Sequence, residues 1–259
     1  MTQANQHVSS ALFNAFKTHQ PIEFISKSYS LNESEAYHTQ DDLIKQLQSY
    51  EGSKVAGYKV SMTSAATQAI ANTNEPAYGT ILSSKVVKGD DTISLSKLFS
   101  PLLEPEIMFK LTADLPKDAD NLTILSNVKV AAGIEIPDAR YIDWFPNFTL
   151  ADLISDDTAT GLIVVGKFVD PLDYDAFANI PLSLVKDGKE IATGLSNEVL
   201  GNPIESVKWL NNKLQSQDKQ LKKDQIISSG TFISPLTLEE GNYTASYGEV
   251  GSVDITVTN

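Results

Sequence analysis

The chain has 259 residues, of which 41% are hydrophobic and 20% charged, the composition of an ordinary globular domain. A formal net charge of −13 leaves no basic footprint for nucleic acid or an anionic membrane, and the absence of cysteine excludes disulfides, thiolate catalysis and thiolate zinc sites. No basic start followed by an apolar core opens the chain, and no apolar run approaches the roughly 20 residues of a membrane span, so a cytoplasmic protein is expected.

The first fifty residues read as helical. Ser9-Ser10 precede Ala11, Leu12, Ala15 and Phe16, an amphipathic pattern ended by Pro21. A second helix starts at Asn32 with Glu35 three residues on, a capping box, and ends near Gly52. From Val55 the signals change. Val55 to Val60 reads as a short strand, and Thr63-Ser64 cap a short helix carrying Gln68 and Ile70. Ile81 to Ile93, Leu103 to Leu111, Val128 to Ile136 and Gly161 to Val169 are further strands. Asp187-Gly188 marks a hairpin turn. Asn202, Pro203 and Glu205 open a late helix with Ile204, Val207, Leu210 and Leu214 as its buried stripe. Ile226-Ile227, Tyr243 to Tyr247 and the alternating Val253, Ile255 and Val257 close the chain as strands. Helices in front of mostly strands predict an α+β fold with a rolled, mainly antiparallel or mixed sheet, divided as a helical segment 1–52 and a catalytic domain 53–259.

Three glutamates carry the chemistry in this pattern. Glu104 and Glu106 lie two apart in Leu102-Leu103-Glu104-Pro105-Glu106-Ile107-Met108, and Glu135 follows in Gly133-Ile134-Glu135-Ile136-Pro137. In a strand, residues two apart share a face, so the first two carboxylates stand roughly 6–7 Å apart and repel by about 2–3 kcal/mol at an effective dielectric near 20. A cation relieves that repulsion, and an all-oxygen set suits magnesium, manganese or calcium. The alternative is a solvated face with no ligand. All three histidines, His7, His19 and His38, fall in the helical front, which disfavours a histidine base or a serine triad in the strand-rich body.

Lys59, in the apolar strand Gly57-Tyr58-Lys59-Val60, is a candidate for proton transfer, with burial lowering its pKa; a lysine facing solvent is the competing reading. The small polar clusters Thr158-Ala159-Thr160-Gly161 and Ser228-Ser229-Gly230-Thr231 offer hydroxyl or backbone donors to a substrate carboxylate, or are plain turns.

Taken in order, these motifs resemble the 2-keto-4-pentenoate hydratase branch of the fumarylacetoacetate hydrolase superfamily, from about Leu31 to the C-terminus. Gly57-Tyr58-Lys59-Val60 with Met62-Thr63-Ser64 resembles that family's Gly-Tyr-Lys-Ile-Gly-Leu-Thr-Ser. Glu104-Pro105-Glu106 resembles its Glu-x-Glu, Glu135 to Arg140 its third-ligand segment, and Asp152 to Gly161 its Asp-x-x-x-Asp-Asn stretch. Leu200-Gly201-Asn202-Pro203, Ser229-Gly230-Thr231 and Gly248 to Val253 resemble its late helix and closing strands. The resemblance implies a mixed β-roll of the fumarylacetoacetate hydrolase C-terminal type with an N-terminal helical segment, in a homo-oligomer. It also implies Mg2+ or Mn2+ on Glu104, Glu106 and Glu135, Lys59 as catalytic residue, and Thr160, Ser229 and Gly230 at the substrate. The implied activity is hydration of a 2-hydroxy-2,4-dienoate to a 4-hydroxy-2-oxo acid; the alternatives are decarboxylation of a 4-oxalocrotonate-like diacid, or metal and 2-oxo-acid binding without catalysis. Ser61 replaces a glycine, Thr160 a serine and Ala77 the acidic residue of a Pro-Asp-x-Gly motif. The last of these shifts weight toward decarboxylation.

Overall fold

The computed structural model describes residues 3–259. Helices α1 (Gln3–Thr18) and α2 (Glu33–Glu51) lead the chain. The first begins upstream of the expected Ser9-Ser10 start, so Ser9 is a buried position within it rather than its cap. The second is bounded as its sequence predicts: Asn32 and Glu35 form the reciprocal capping box, and Gly52 ends the helix at φ 62°.

After these come β1 (Val55–Ser61), α3 (Ala65–Ile70) and β2 (Ala77–Leu82). The expected continuous strand from Ile81 to Ile93 is broken by a 3-10 turn at Ser83–Lys85 into β2, β3 (Val86–Lys88) and β4 (Thr92–Ser94). Serine hydroxyls hold that turn: the Ser53 Oγ accepts from Ser84 N–H at 3.0 Å and contacts Ser83 Oγ at 2.9 Å. Next follow β5 (Leu102–Leu111), α4 (Asn121–Leu125), β6 (Val128–Ile136), α5 (Leu150–Ser155) and β7 (Leu162–Val165), the last shorter than its sequence pattern. The C-terminal part holds α6 (Tyr174–Phe177), β8 (Pro181–Lys186), β9 (Lys189–Leu195) and α7 (Pro203–Gln215). It closes with β10 (Ile226–Thr231), β11 (Leu236–Thr237), β12 (Gly241–Ser246) and β13 (Ser252–Thr258). Asn202 caps α7 through Ile204 N–H, but Glu205 does not complete a box; its carboxylate accepts from Asn121 Nδ2 and Tyr174 Oη, both at 2.7 Å.

The strands form two sheets. One runs β2-β1-β10-β5-β6-β7-β3 with β11 added on β5, and the other runs β4-β13-β12-β8-β9. The β1–β10 and β3–β7 pairs of the larger sheet are parallel and the rest antiparallel, so that sheet is mixed, as expected. Consecutive β2 and β3 occupy its opposite edges, which requires the sheet to curl; the fold is α+β with a rolled sheet. The front helices join the same apolar core, with Val8, Leu12, Ala36 and Leu43 packed in one cluster with Ile107, Phe109 and Ile134. Gln40 Nε2 donates to Tyr78 O and Ile154 O, both at 3.0 Å, fixing α2 to β2 and α5.

The loop beyond β6 is anchored by charge. Asp138 accepts from Phe99 and Ser100 N–H groups, and Arg140 is buried against the Asp156 carboxylate and the Thr160 carbonyl. Removing one partner of such a pair leaves the other buried and uncompensated. Arg140→Met is therefore expected to lower unfolding free energy by about 3–5 kcal/mol in urea titrations, while Lys27→Met, at an exposed pair, changes it by less than about 1 kcal/mol.

Candidate functional site

Strand pairing assembles the glutamates. β5 and β6 run antiparallel with Glu104 directly opposite Glu135, and Glu106 follows on the same face of β5. One carboxylate oxygen from each of the three lies within 4.8 Å of the others. Glu106 and Glu135 are buried, and Glu104 is half-buried at the edge of the cluster.

Lys59 reaches the cluster from β1, separated from β5 by β10, and its Nζ lies 2.9 Å from Glu135 Oε1. The Glu106 Oε2 accepts from Ser228 Oγ at 2.5 Å and from Gly230 N–H at 2.8 Å. The second bond depends on a register shift in β10 between Ser228 and Thr231, where Gly230 adopts φ 116°. A Cβ there would stand 2.3 Å from Thr63 Oγ1, so the position requires glycine.

Oriented in this way, the Glu106 Oε1 and Glu135 Oε2 are buried without a hydrogen-bond partner, and Glu135 Oε1 has the Lys59 ammonium beside it. Native interiors rarely leave such atoms unsatisfied, and three carboxylates against one ammonium leave negative charge in excess. The donor set is all oxygen, which fits a hard divalent cation and not zinc in a thiolate or imidazole site. Burial, then the neighbouring carboxylates, pushes Glu104 up to about 8 and Glu106 well above the usual carboxylate range. Lys59 departs from the sequence expectation. Burial is the largest influence on it and acts downward, but Glu135, Glu104 and Glu106 together outweigh burial and hold the ammonium above its ordinary value. It is a charged donor at neutral pH, not a lysine depressed toward a base.

The cluster opens into a cleft of about 540 Å3 whose walls include Ser61, Thr63, Glu104, Gly230 and Thr231. A narrower inner pocket shares Ser61, Met62, Thr67 and Glu104 with that cleft, and adds Lys59, Thr158 and the aromatic residues Trp144, Phe145 and Phe148. The structure thus brings Glu104, Glu106, Glu135, Lys59 and Gly230 together. Two other candidates lie elsewhere. Ser229 is buried with an unpartnered hydroxyl, outside the cleft lining. Thr160 donates to Asp157 O and lines a different cavity, beside Asp138 and Arg140. Within its cluster Thr158 faces the inner pocket instead, because residues 157–159 take positive φ and redirect the chain.

Ser228 and the Trp144-Phe145-x-x-Phe148 cluster were not singled out from sequence. The aromatic spacing was the available signal for the second; nothing local distinguished Ser228 from Ser229. Ala77 pairs with Ser61 across β1 and β2, which puts it on the sheet face that carries Lys59.

No family model matches the chain. It is 30% identical over 255 residues to the 2-oxo-hept-4-ene-1,7-dioate hydratase of Escherichia coli, covering 95% of each protein. It is 31% identical over 207 residues to the 2-hydroxyhexa-2,4-dienoate hydratase of Comamonas testosteroni, covering 78% of this chain and 76% of that one. In fold it is similar to the 4-oxalocrotonate decarboxylase of Pseudomonas putida G7, solved with magnesium and adipate, with a TM-score of 0.90 at 22% identity over 100% of this chain and 99% of that chain. Full-length similarity to hydratases, on a rolled sheet that gathers the three glutamates and the lysine, shows that this chain belongs to the 2-keto-4-pentenoate hydratase family, on a fold similar to that of fumarylacetoacetate hydrolase family proteins.

Proposed function

We propose that the protein is a metal-dependent hydratase that converts a 2-hydroxy-2,4-dienoate, through its 2-oxo tautomer, to a 4-hydroxy-2-oxo acid. The observation that carries this reading is the buried Glu104, Glu106 and Glu135 cluster with orphaned oxygens beside the Lys59 ammonium. Those three residues would hold Mg2+ or Mn2+, which when bound supplies Lewis acidity and a frame for the substrate's carboxylate and 2-oxygen.

The chain's own groups do the rest. Ser228 and the Gly230 N–H fix the Glu106 carboxylate so that its free oxygen faces the cluster. Lys59, held by Glu135, places a positive charge and a transferable proton beside the site, where negative charge develops as the dienol ketonises. Ketonisation moves a proton to C5; water then adds at C4, and C3 takes the second proton. The inner pocket adds an aromatic surface beside the cluster. Loss of dienol absorbance with gain of one water in product mass, on incubating protein, Mg2+ and 2-hydroxypenta-2,4-dienoate, tests the activity; no turnover of any 2-hydroxydienoate overturns it.

One observation favours decarboxylation as a second reading. Ala77 stands on the Lys59 face where the resembling hydratases carry an acidic residue that can handle water or a proton. Ala77→Asp is expected to raise hydration by roughly 10²–10⁴-fold in kcat with little change in KM if the protein hydrates. Under the decarboxylase reading it leaves carbon dioxide release flat or lower, since it adds negative charge beside an anionic substrate.

The metal reading has two further consequences. Mg2+ at about 100-fold its Kd is expected to raise the melting temperature by roughly 5–10 °C in the parent protein, and to have little effect on Glu106→Gln. Equal shifts in both would remove Glu106 from the ligand set. A carboxyl group whose folded pKa is raised makes the folded state bind more protons than the unfolded chain, so stability is lost as pH rises through the interval between the two values. Metal-free protein is therefore expected to lose melting temperature from about pH 4.5 toward about pH 8, less so in Glu104→Gln, and the Mg2+ increment should grow over the same interval.

A further inference from the structure

We infer that the substrate is a monocarboxylic 2-hydroxydienoate with an uncharged, apolar far end, and that Phe145 and its aromatic neighbours select it over a dicarboxylate. This rests on the functional reading above and specifies its substrate class. The inner pocket is lined by Lys59, Glu104 and Thr158 together with Trp144, Phe145 and Phe148. A 2-oxo acid held by its carboxylate and 2-oxygen at the glutamate cluster therefore has an aromatic surface available to its tail.

That surface is organised. Trp144 stacks with Phe148 at 6.0 Å between ring centroids and meets Phe145 edge-on at 5.5 Å. The Trp144 Nε1 donates to Ser100 O at 2.8 Å, so its one polar atom is already satisfied by the backbone. An apolar substituent gains from burial against such a wall; a carboxylate there is desolvated without a partner.

The charges point the same way. In the outer cleft the charged side chains are Glu104 and Glu198, both acidic. Among the described residues Lys59 is the one cation lining either cavity, and it is engaged with Glu135. The sequence contains a single arginine, Arg140, which is buried on Asp156. A second copy of this chain therefore has no free arginine to lend across an interface. Paired recognition of a second carboxylate characteristically uses arginine, and nothing here supplies it.

Initial rates with Mg2+ on 2-hydroxypenta-2,4-dienoate, 2-hydroxyhexa-2,4-dienoate and 2-hydroxyhepta-2,4-diene-1,7-dioate test the inference. The kcat/KM of each monoacid is expected to exceed that of the diacid by roughly tenfold or more. A diacid turned over equally well or better overturns it. Binding is read separately, as the Mg2+-dependent melting shift given by 2-oxopentanoate against 2-oxoheptanedioate. If no dienoate is hydrated, the hydratase reading fails, yet a larger shift with the monoacid still supports the monoacid preference and a larger shift with the diacid overturns it. Phe145 is only partly buried, so Phe145→Lys is compatible with folding, as its melting temperature checks. It should move the monoacid-to-diacid ratio toward the diacid by roughly tenfold. A folded variant with an unchanged ratio would show that this wall does not meet the distal end of the substrate, overturning the role assigned to it.

Discussion

Burying three carboxylates around one ammonium is the constraint on which the rest of the structure depends. The cross-strand pair Glu104 and Glu135 would repel if left to themselves, and Glu106 adds a third charge on the same face. Lys59 offsets part of this, at 2.9 Å from Glu135, and two donors on β10 hold Glu106 in one orientation. What remains is negative potential in a dry place, the condition under which a hard cation gains most from binding. The raised values of Glu104 and Glu106 are the same fact expressed as proton affinity.

The scaffold around this cluster is correspondingly rigid. The cluster draws on β1, β10, β5 and β6, four adjacent strands of one sheet, so its geometry is set by backbone ladders rather than by loops. Irregular segments complete its surroundings. The bulge at Gly230 aims a backbone N–H at Glu106, and the segment after β6 carries Trp144, Phe145 and Phe148 to the pocket. That segment is held by Asp138 on the Phe99 and Ser100 amides and by the buried Arg140–Asp156 pair. Charge pairing that looks purely structural thus positions the wall beside the cluster.

Such a division separates chemistry from selectivity within one site. On the proposed reading the glutamates and Lys59 face the reacting end, where the demands are the same for any 2-oxo acid. On the same reading the aromatic loop faces the far end, where substrates differ in charge and bulk. The relatives reflect that range by name, one a heptenedioate hydratase and one a hexadienoate hydratase. In this chain the wall beside the cluster is aromatic and the outer cleft acidic, a combination that favours an uncharged tail.

Much of this was legible in the sequence because it is local. The caps at Asn32, Ser64 and Asn202, the Asp187-Gly188 turn and the period-two glutamates each depend on residues a few positions apart, and each appears in the structure. The resemblance carried the fold and the triad with them. Other features required the tertiary structure. The break after Leu82 depends on Ser53, some thirty residues away, which accepts from the backbone of the turn. Lys59 reads as a depressed base from its apolar strand alone; only the carboxylates brought by β5 and β6 reverse that shift. Thr160 and Thr158 are indistinguishable in sequence, and the positive-φ turn at residues 157–159 decides which one meets the pocket. Periodicity and capping act within a turn or a strand, so the sequence by itself determined the elements and the ligand type. Electrostatic environment and facing depend on strands far apart in the chain, and those were decided by how the sheet rolled.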